Sequence, residues 1–152
     1  MFAQNLSASV ISSVKAVTIR LSPGEDLKAQ LEEYVKANNL KAGCIITCVG
    51  SLQRVVIRFA NQSDLETISG KFEIVSLAGT LAESGSHLHI IISDSKGKTI
   101  GGHLKEGSIV YTTAEIVIGI LPAVLYEREI DPTFGFKELV IKKADGKNDS
   151  LQ

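Results

Sequence analysis

The stretch HLHIIISDSKGKTIGGHL, residues 87–104, decides the fold because it predicts an antiparallel β-hairpin. Its two ends, His87–Ser93 and Thr99–Leu104, are rich in the β-branched and apolar residues that are typical of strands. Between them, Asp94–Lys98 carries the Asp, Ser and Gly residues of a tight turn. Strands joined by so short a connection pair antiparallel, so we predict an antiparallel sheet around this hairpin.

The N-terminal part of the chain predicts a helix between two strands. Lys15–Leu21 alternates apolar and polar residues, and Ile45–Val49 is β-branched. Between them, Ser22-Pro23-Gly24-Glu25 has the pattern of a capping box with proline at the first helical position. The apolar residues that follow at helical spacing are Leu27, Leu31, Tyr34 and Val35, and the helix should end near Asn38–Asn39. We therefore predict a right-handed βαβ unit whose two strands pair in parallel.

Beyond Gly50-Ser51 the pattern predicts strands only. Besides the hairpin, they lie at Arg54–Ala60, Phe72–Ala82, Val110–Leu121, Leu125–Ile130 and Lys137–Lys142. Gly79, inside the second of these, predicts a β-bulge. We expect one α+β domain over residues 15–143, with a mixed, mostly antiparallel sheet and one principal helix. Residues 1–14 are interpreted as a leader and residues 144–152 as a flexible tail.

Two apolar runs, Ile90–Ile92 and Ile116–Ile118, predict strands that are buried on both faces. One helix cannot cover both faces of a sheet of seven or eight strands. Either the sheet curls into a barrel, or a second subunit covers the open face. We favour oligomerisation, with a further copy of the chain as partner.

Composition excludes several function classes. Apolar residues make up 44% and charged residues 22%, which is ordinary for a globular domain, and the net charge is −1. No global charge attracts a nucleic acid, and no apolar run is long enough to span a membrane. Cys44 and Cys48 would lie about 13 Å apart on a strand, too far for a disulfide. Unpaired thiols suit a reducing compartment, so we expect a cytoplasmic protein, with a nuclear one as the alternative.

All three histidines fall within the hairpin and suggest a metal site. His87 and His89 share one strand face, roughly 6.6 Å apart along the strand, and the neighbouring strand brings back His103. Three protein ligands plus a water is the pattern of catalytic zinc, so we predict a divalent metal, zinc by preference. Asp94 and Glu115 are the candidate carboxylates for a fourth ligand or a catalytic base. The alternative is a hydrogen-bonded histidine set on a polar sheet face.

Two other motifs have weaker chemical meaning. The Gly50-Ser51 turn could present N–H groups to an anion, but a plain turn is the simpler interpretation. Arg54 and Arg58 alternate on one strand face and could bind a carboxylate or a phosphate. Solvated side chains on a strand are the default interpretation of both arginines.

Several motifs, in one order from Lys15 to Lys143, resemble a known family: Leu21-Ser22-Pro23-Gly24-Glu25-Asp26-Leu27, Gly50-Ser51-Leu52, Gly70–Gly79, His87-Leu88-His89 with Asp94 and Gly97, and Gly101-Gly102-His103-Leu104 with Gly107. They are similar to the plant and prokaryote conserved (PPC) domain, and to its free-standing members without an AT-hook. The resemblance implies an α/β sandwich-like fold that forms a homotrimer, and a metal held by the histidines. It also implies that a partner-contact segment is formed by Gly70, Lys71, Phe72, Glu73, Ile74 and Val75.

Three functional hypotheses follow. The first is a trimeric binding or regulatory module that holds a metal or small ligand at the histidines and a protein partner at the Gly70–Val75 segment. The second is a zinc-dependent enzyme that uses a metal-bound water, with Glu115 or Asp94 as base. The third is DNA binding, which we do not expect, because plant members use an Arg-Gly-Arg-Pro AT-hook that this sequence lacks. The first two rank close together.

Overall fold

The computed structural model describes residues 9–133 and 135–145. In these ranges the elements are β1 (Lys15–Leu21), α1 (Leu27–Ala37), β2 (Gly43–Arg58), β3 (Glu66–Leu81), β4 (His87–Ser93), β5 (Thr99–Leu104), β6 (Ile109–Ile120), β7 (Val124–Ile130) and β8 (Lys137–Lys143). The mostly antiparallel sheet with a single helix is confirmed, as are the exact bounds of the 87–104 hairpin. Of the predicted leader and tail, residues 1–8 and 146–152 lie outside the described ranges.

Six strands form one sheet in the order β1-β6-β2-β3-β4-β5, and β7 and β8 form a separate hairpin. The predicted parallel pairing of the first two strands is wrong. Strand β6 lies between β1 and β2 and pairs antiparallel with both, and every pairing among the described residues is antiparallel. After α1 the chain enters β2, which runs in the same direction as β1 but is not its neighbour. The strand between them, β6, comes from a distant part of the sequence.

The sheet curls because β2 is long and sharply bent. It is one continuous 16-residue strand, where the sequence predicted two strands separated at Gly50-Ser51. Its register with β6 shifts at three places, which bends the strand and increases its twist. Its C-terminal end then pairs with β5, so β2, β3, β4 and β5 close into a small barrel. The barrel, which was the less favoured alternative, therefore forms within one chain.

The core fills the inside of this curled sheet and the face that α1 covers. Leu27, Leu31 and Val35 of α1 are fully buried against it. Along β4 burial alternates strictly: Ile90 and Ile92 are 1% exposed, whereas Ile91 is 43% exposed. A strand that puts alternate residues on opposite faces therefore leaves part of its apolar run on the outer surface of the isolated chain.

The structure corrects the predicted start of the helix and the predicted position of the β-bulge, and it confirms the predicted end of the helix. The helix begins at Leu27 with Asp26 as N-cap, because the Asp26 carboxylate accepts from the N–H groups of Lys28 and Ala29. Ser22 does not cap it, although its N–H does donate to the Glu25 carboxylate in the preceding turn. The bulge in β3 lies between Ile74 and Ser76 and not at Gly79. The helix end at Asn38 is confirmed.

Candidate metal centre

The three histidines meet on the outer face of the β4–β5 hairpin. His87 and His89 occupy alternate positions of β4, whose intervening Leu88 is 2% exposed and points into the core. In the β4–β5 register, His89 lies directly opposite His103. Directly opposed residues share a sheet face with their Cβ atoms about 5 Å apart, so all three imidazoles project to the same side.

Two glycines let the strand that carries His103 approach its neighbours closely. A Cβ at Gly101 would lie 2.8 Å from the carbonyl oxygen of Ile90, and one at Gly102 would lie 2.8 Å from that of Arg58. Real Cβ atoms do not approach backbone oxygens so closely. The Gly101-Gly102 pair therefore allows β5 to sit between β4 and β2, as the sequence predicted for close backbone approach.

The ring nitrogens converge on one point. Nε2 of His87 lies 3.1 Å from Nε2 of His89 and 3.1 Å from Nδ1 of His103. All three ligand atoms lie within 4.8 Å of one another. Ligand nitrogens at about 2.0–2.1 Å from a tetrahedral zinc would lie about 3.3 Å apart, which is close to the two separations of 3.1 Å.

Hydrogen bonds between the imidazole rings do not by themselves explain why the three ring nitrogens lie so close together. A nitrogen of a neutral imidazole carries either one hydrogen or one in-plane lone pair. Nε2 of His87 therefore makes one ordinary hydrogen bond, yet it has two nitrogen neighbours at 3.1 Å. A shared cation would accept a lone pair from every ring at once. The donor set thus fits a metal ion, and imidazole ligands suit zinc, copper, iron and nickel.

The surroundings of His87 and His103 favour the neutral form of the ring, which is the form that binds metal. Desolvation lowers the pKa of His103 to about 4, and the positive charge of Arg58 adds to the effect. Desolvation likewise lowers the pKa of His87, with smaller contributions from His89 and Arg128 and an opposing one from Glu138. His87 and His89 are solvent-exposed, so a bound ion would keep a coordination position open to solutes.

The structure does not bring the predicted carboxylates to the histidines. Asp94 lies at the far end of β4, where its Oδ1 accepts from the N–H groups of Lys96 and Lys98 and so organises the hairpin turn. Glu115 lies on β6, opposite Arg20 of β1 and Val49 of β2. Among the described residues, the cluster of metal-ligating atoms consists of the three histidines alone.

Sequence reasoning missed most of the polar side chains that surround the histidines. Arg58 lies directly opposite His103 in the short β2–β5 ladder. Arg128 of β7 reaches the site from the separate hairpin, and its Nη2 donates to Oγ1 of Thr80, the residue opposite His87. The sequence pointed to Arg58 only through its alternation with Arg54 on one strand face. No local pattern links β7 to the histidines.

The predicted partner-contact segment forms part of β3. Phe72 and Ile74 face the core, whereas Lys71, Glu73 and Val75 are exposed. Nζ of Lys71 lies 4.5 Å from the centre of the Tyr111 ring, a cation–π contact with the neighbouring part of the surface. One face of the segment is thus an exposed strip of mixed charge and apolar character, on a different strand from the histidines.

A cavity of about 500 Å³ lies elsewhere, at the C-terminal end of α1, and it is lined by residues that include Asn38, Leu40 and Pro122. Among the residues that the structure describes, its lining contains no histidine or carboxylate. Within the described residues, no helix has the length and apolar character needed to cross a bilayer.

Known proteins share both the fold and long stretches of the sequence. A hypothetical protein from Salmonella enterica is 40% identical, with a TM-score of 0.88 over 90% of this chain and 99% of that one. The metal-containing protein AF0104 from Archaeoglobus fulgidus is 25% identical, with a TM-score of 0.77 over 88% of this chain and 99% of that one.

Among curated proteins, the bifunctional protein GlmU of a Synechococcus strain is 41% identical over 88% of this chain. The match spans only 21% of that relative, about a fifth of its length. The family model of the Plants and Prokaryotes Conserved (PCC) domain, the PPC domain of the sequence resemblance, matches residues 9–122. Its extent, together with the shared fold, leads to one conclusion: the chain belongs to the Plants and Prokaryotes Conserved domain family.

Proposed function

We propose that this protein is a trimeric binding or regulatory module built around a divalent metal ion, zinc by preference, held by His87, His89 and His103. The observation that carries the proposal is the convergence of three imidazole nitrogens from two neighbouring strands. The similar protein from Archaeoglobus fulgidus, which is described as metal-containing, supports it.

The site suits ligand binding better than it suits the predicted zinc-enzyme mechanism, in which Glu115 or Asp94 acts as base. A zinc ion with an open position could polarise a ligand or lower the pKa of a bound water. A hydrolytic mechanism also needs a positioned base, and neither Asp94 nor Glu115 adjoins the histidines. The negative charge of Glu138 opposes the lowering of the His87 pKa.

The trimer is proposed from the family resemblance and from exposed apolar side chains on the outer face. Val49 of β2 is 54% exposed and Val75 of β3 is 56% exposed, and Ile46 and Ile91 are also exposed. Apolar side chains on several strands of one sheet favour a surface that another copy of the chain covers. Val75 belongs to the Gly70–Val75 segment, so self-association and partner binding would compete for part of this surface.

The metal proposal is tested on protein purified without nickel affinity or chelators and then loaded with zinc. Elemental analysis should give one zinc per chain, and native mass spectrometry should give three chains per particle. His89→Ala should lose the zinc while its circular dichroism spectrum stays unchanged. Glu115→Gln, a matched change at an exposed residue away from the histidines, should keep it. Zinc that stays bound to the His89→Ala protein would refute the site.

A further inference from the structure

The histidine cluster lies between two arginines. Arg58 is the register partner of His103, so the row His89, His103, Arg58 crosses three neighbouring strands on one face. On the other side, Arg128 donates to Oγ1 of Thr80, and Thr80 is the register partner of His87. Both arginines act electrostatically on the cluster, and both lower the pKa of His87.

Both guanidinium groups are fixed by neutral acceptors. Nη1 of Arg58 donates to the carbonyl oxygen of Gln62 at 3.0 Å and contacts that of Phe59. Nε of Arg128 donates to the carbonyl oxygen of Gly85 at 3.4 Å. In the part of the chain that the structure describes, neither arginine has a carboxylate partner within ion-pair distance. A guanidinium has five N–H donors, so each arginine keeps donors for a further acceptor.

The charge around the site is the reverse of the usual arrangement. Metal-bound histidines commonly have carboxylates or carbonyls around them, which partly balance the ion. Here a divalent ion on three neutral imidazoles would add two positive charges to those of Arg58 and Arg128, and Lys105 also acts on His103. Glu138 supplies one opposing charge near His87. The positive charges that act on the histidines therefore outnumber the negative one, and the site is electropositive.

We propose that the open position takes a small oxyanion, a phosphate or carboxylate group, that Arg58 and Arg128 hold against the metal. One oxygen of the group would coordinate the ion, and the remaining oxygens would accept from the two guanidinium groups, whose fork geometry matches such anions. The proposal rests on the metal site proposed above and names the ligand class of that site.

The test uses the full chain loaded with Co²⁺, whose visible absorption reports changes in coordination. Inorganic phosphate and acetate are titrated separately, and the probe with the lower apparent Kd identifies the class. Because a hydrogen bond to a charged group is worth more than one between neutral groups, Arg58→Gln and Arg128→Gln should each weaken that binding about tenfold. Both variants should bind Co²⁺ at least as tightly as the wild type, since each removes a positive charge near the ion.

Two further variants serve as controls. Arg20→Gln, at an arginine of β1 that donates to Thr113, should leave anion binding unchanged. Arg58→Lys, which keeps the charge and loses the fork, should bind the anion with intermediate affinity. If Co²⁺ binds but neither probe gives a saturable spectral change, or if neither glutamine variant alters it, the anion proposal is wrong and the metal site stands. If no Co²⁺ binds, the metal site itself fails and the anion proposal fails with it.

Discussion

Replacing Gly102 by alanine should disturb the metal centre without touching a ligand. The new Cβ would lie 2.8 Å from the carbonyl oxygen of Arg58, whereas ordinary contact begins at 3.4 Å. The two backbones would have to separate by about 0.6 Å, and overpacking of this kind costs about 1–3 kcal/mol of unfolding free energy. Because His103 follows Gly102 directly, its nitrogen would move relative to those of His87 and His89. We expect zinc affinity to fall about 10–100-fold, as for changes in the groups that orient metal ligands.

Urea unfolding of the metal-free protein measures the stability loss, and zinc titration against a chelating indicator measures affinity. Gly119→Ala is the matched control, since the atoms nearest to its Cβ would be side-chain carbons of Ile46 and Val14, at 3.1–3.2 Å, and not backbone. These side chains can turn away, so this variant should change stability little and zinc affinity not at all. Equal zinc affinities in the Gly102→Ala and Gly119→Ala proteins would refute the argument that close strand approach positions His103.

Three other predictions concern stability and pH. Asp26→Ala should cost about 1–2 kcal/mol in urea unfolding, because the Asp26 carboxylate caps α1 and also accepts from the N–H of Gly107; an unchanged midpoint would contradict this. Leu31→Ala should cost about 2–5 kcal/mol in the same assay, since Leu31 is fully buried, and a loss below 1 kcal/mol would be inconsistent with the packing. Burial raises the pKa of Cys48 from 9.0 to about 12, so the contribution of this thiol to stability should be constant below pH 9 and decline as pH rises towards 12. Cys48→Ala should show a smaller alkaline decline than the wild type, because burial also raises the pKa of Tyr34 and of Tyr126, and an unchanged decline would refute the contribution of Cys48.

The elements that depend on local signals were predictable from sequence. The turn residues of Asp94–Lys98 and the flanking apolar runs predicted both strands of the hairpin with the bounds that the structure has. Asn38–Asn39 likewise predicted the helix end. The histidine cluster follows from these elements alone, because alternation on a strand and the register of one hairpin bring its three members together. A site contained in a single hairpin needs no long-range information.

Features that depend on distant segments were missed. The insertion of β6 between β1 and β2 joins residues 93–105 positions apart in one pairing and 55–77 positions apart in the other, and no local pattern encodes either. The bend that turns β2 onto β5 is likewise a property of the closed barrel. Arg128 reaches the histidines only because the β7–β8 hairpin packs beside Thr80. Glu115 was chosen for its place in an apolar run, although strand order puts it away from the cluster.

X-ray absorption at the zinc edge tests the central claim most directly, because it counts and identifies the atoms around the ion. The zinc-loaded protein should show three imidazole nitrogens and a further light ligand at about 2.0–2.1 Å. Phosphate added to the sample should introduce a phosphorus scatterer if phosphate is the favoured anion. Sulfur at about 2.3 Å, from Cys44 or Cys48, or a shell without imidazole, would contradict a metal centre built on His87, His89 and His103.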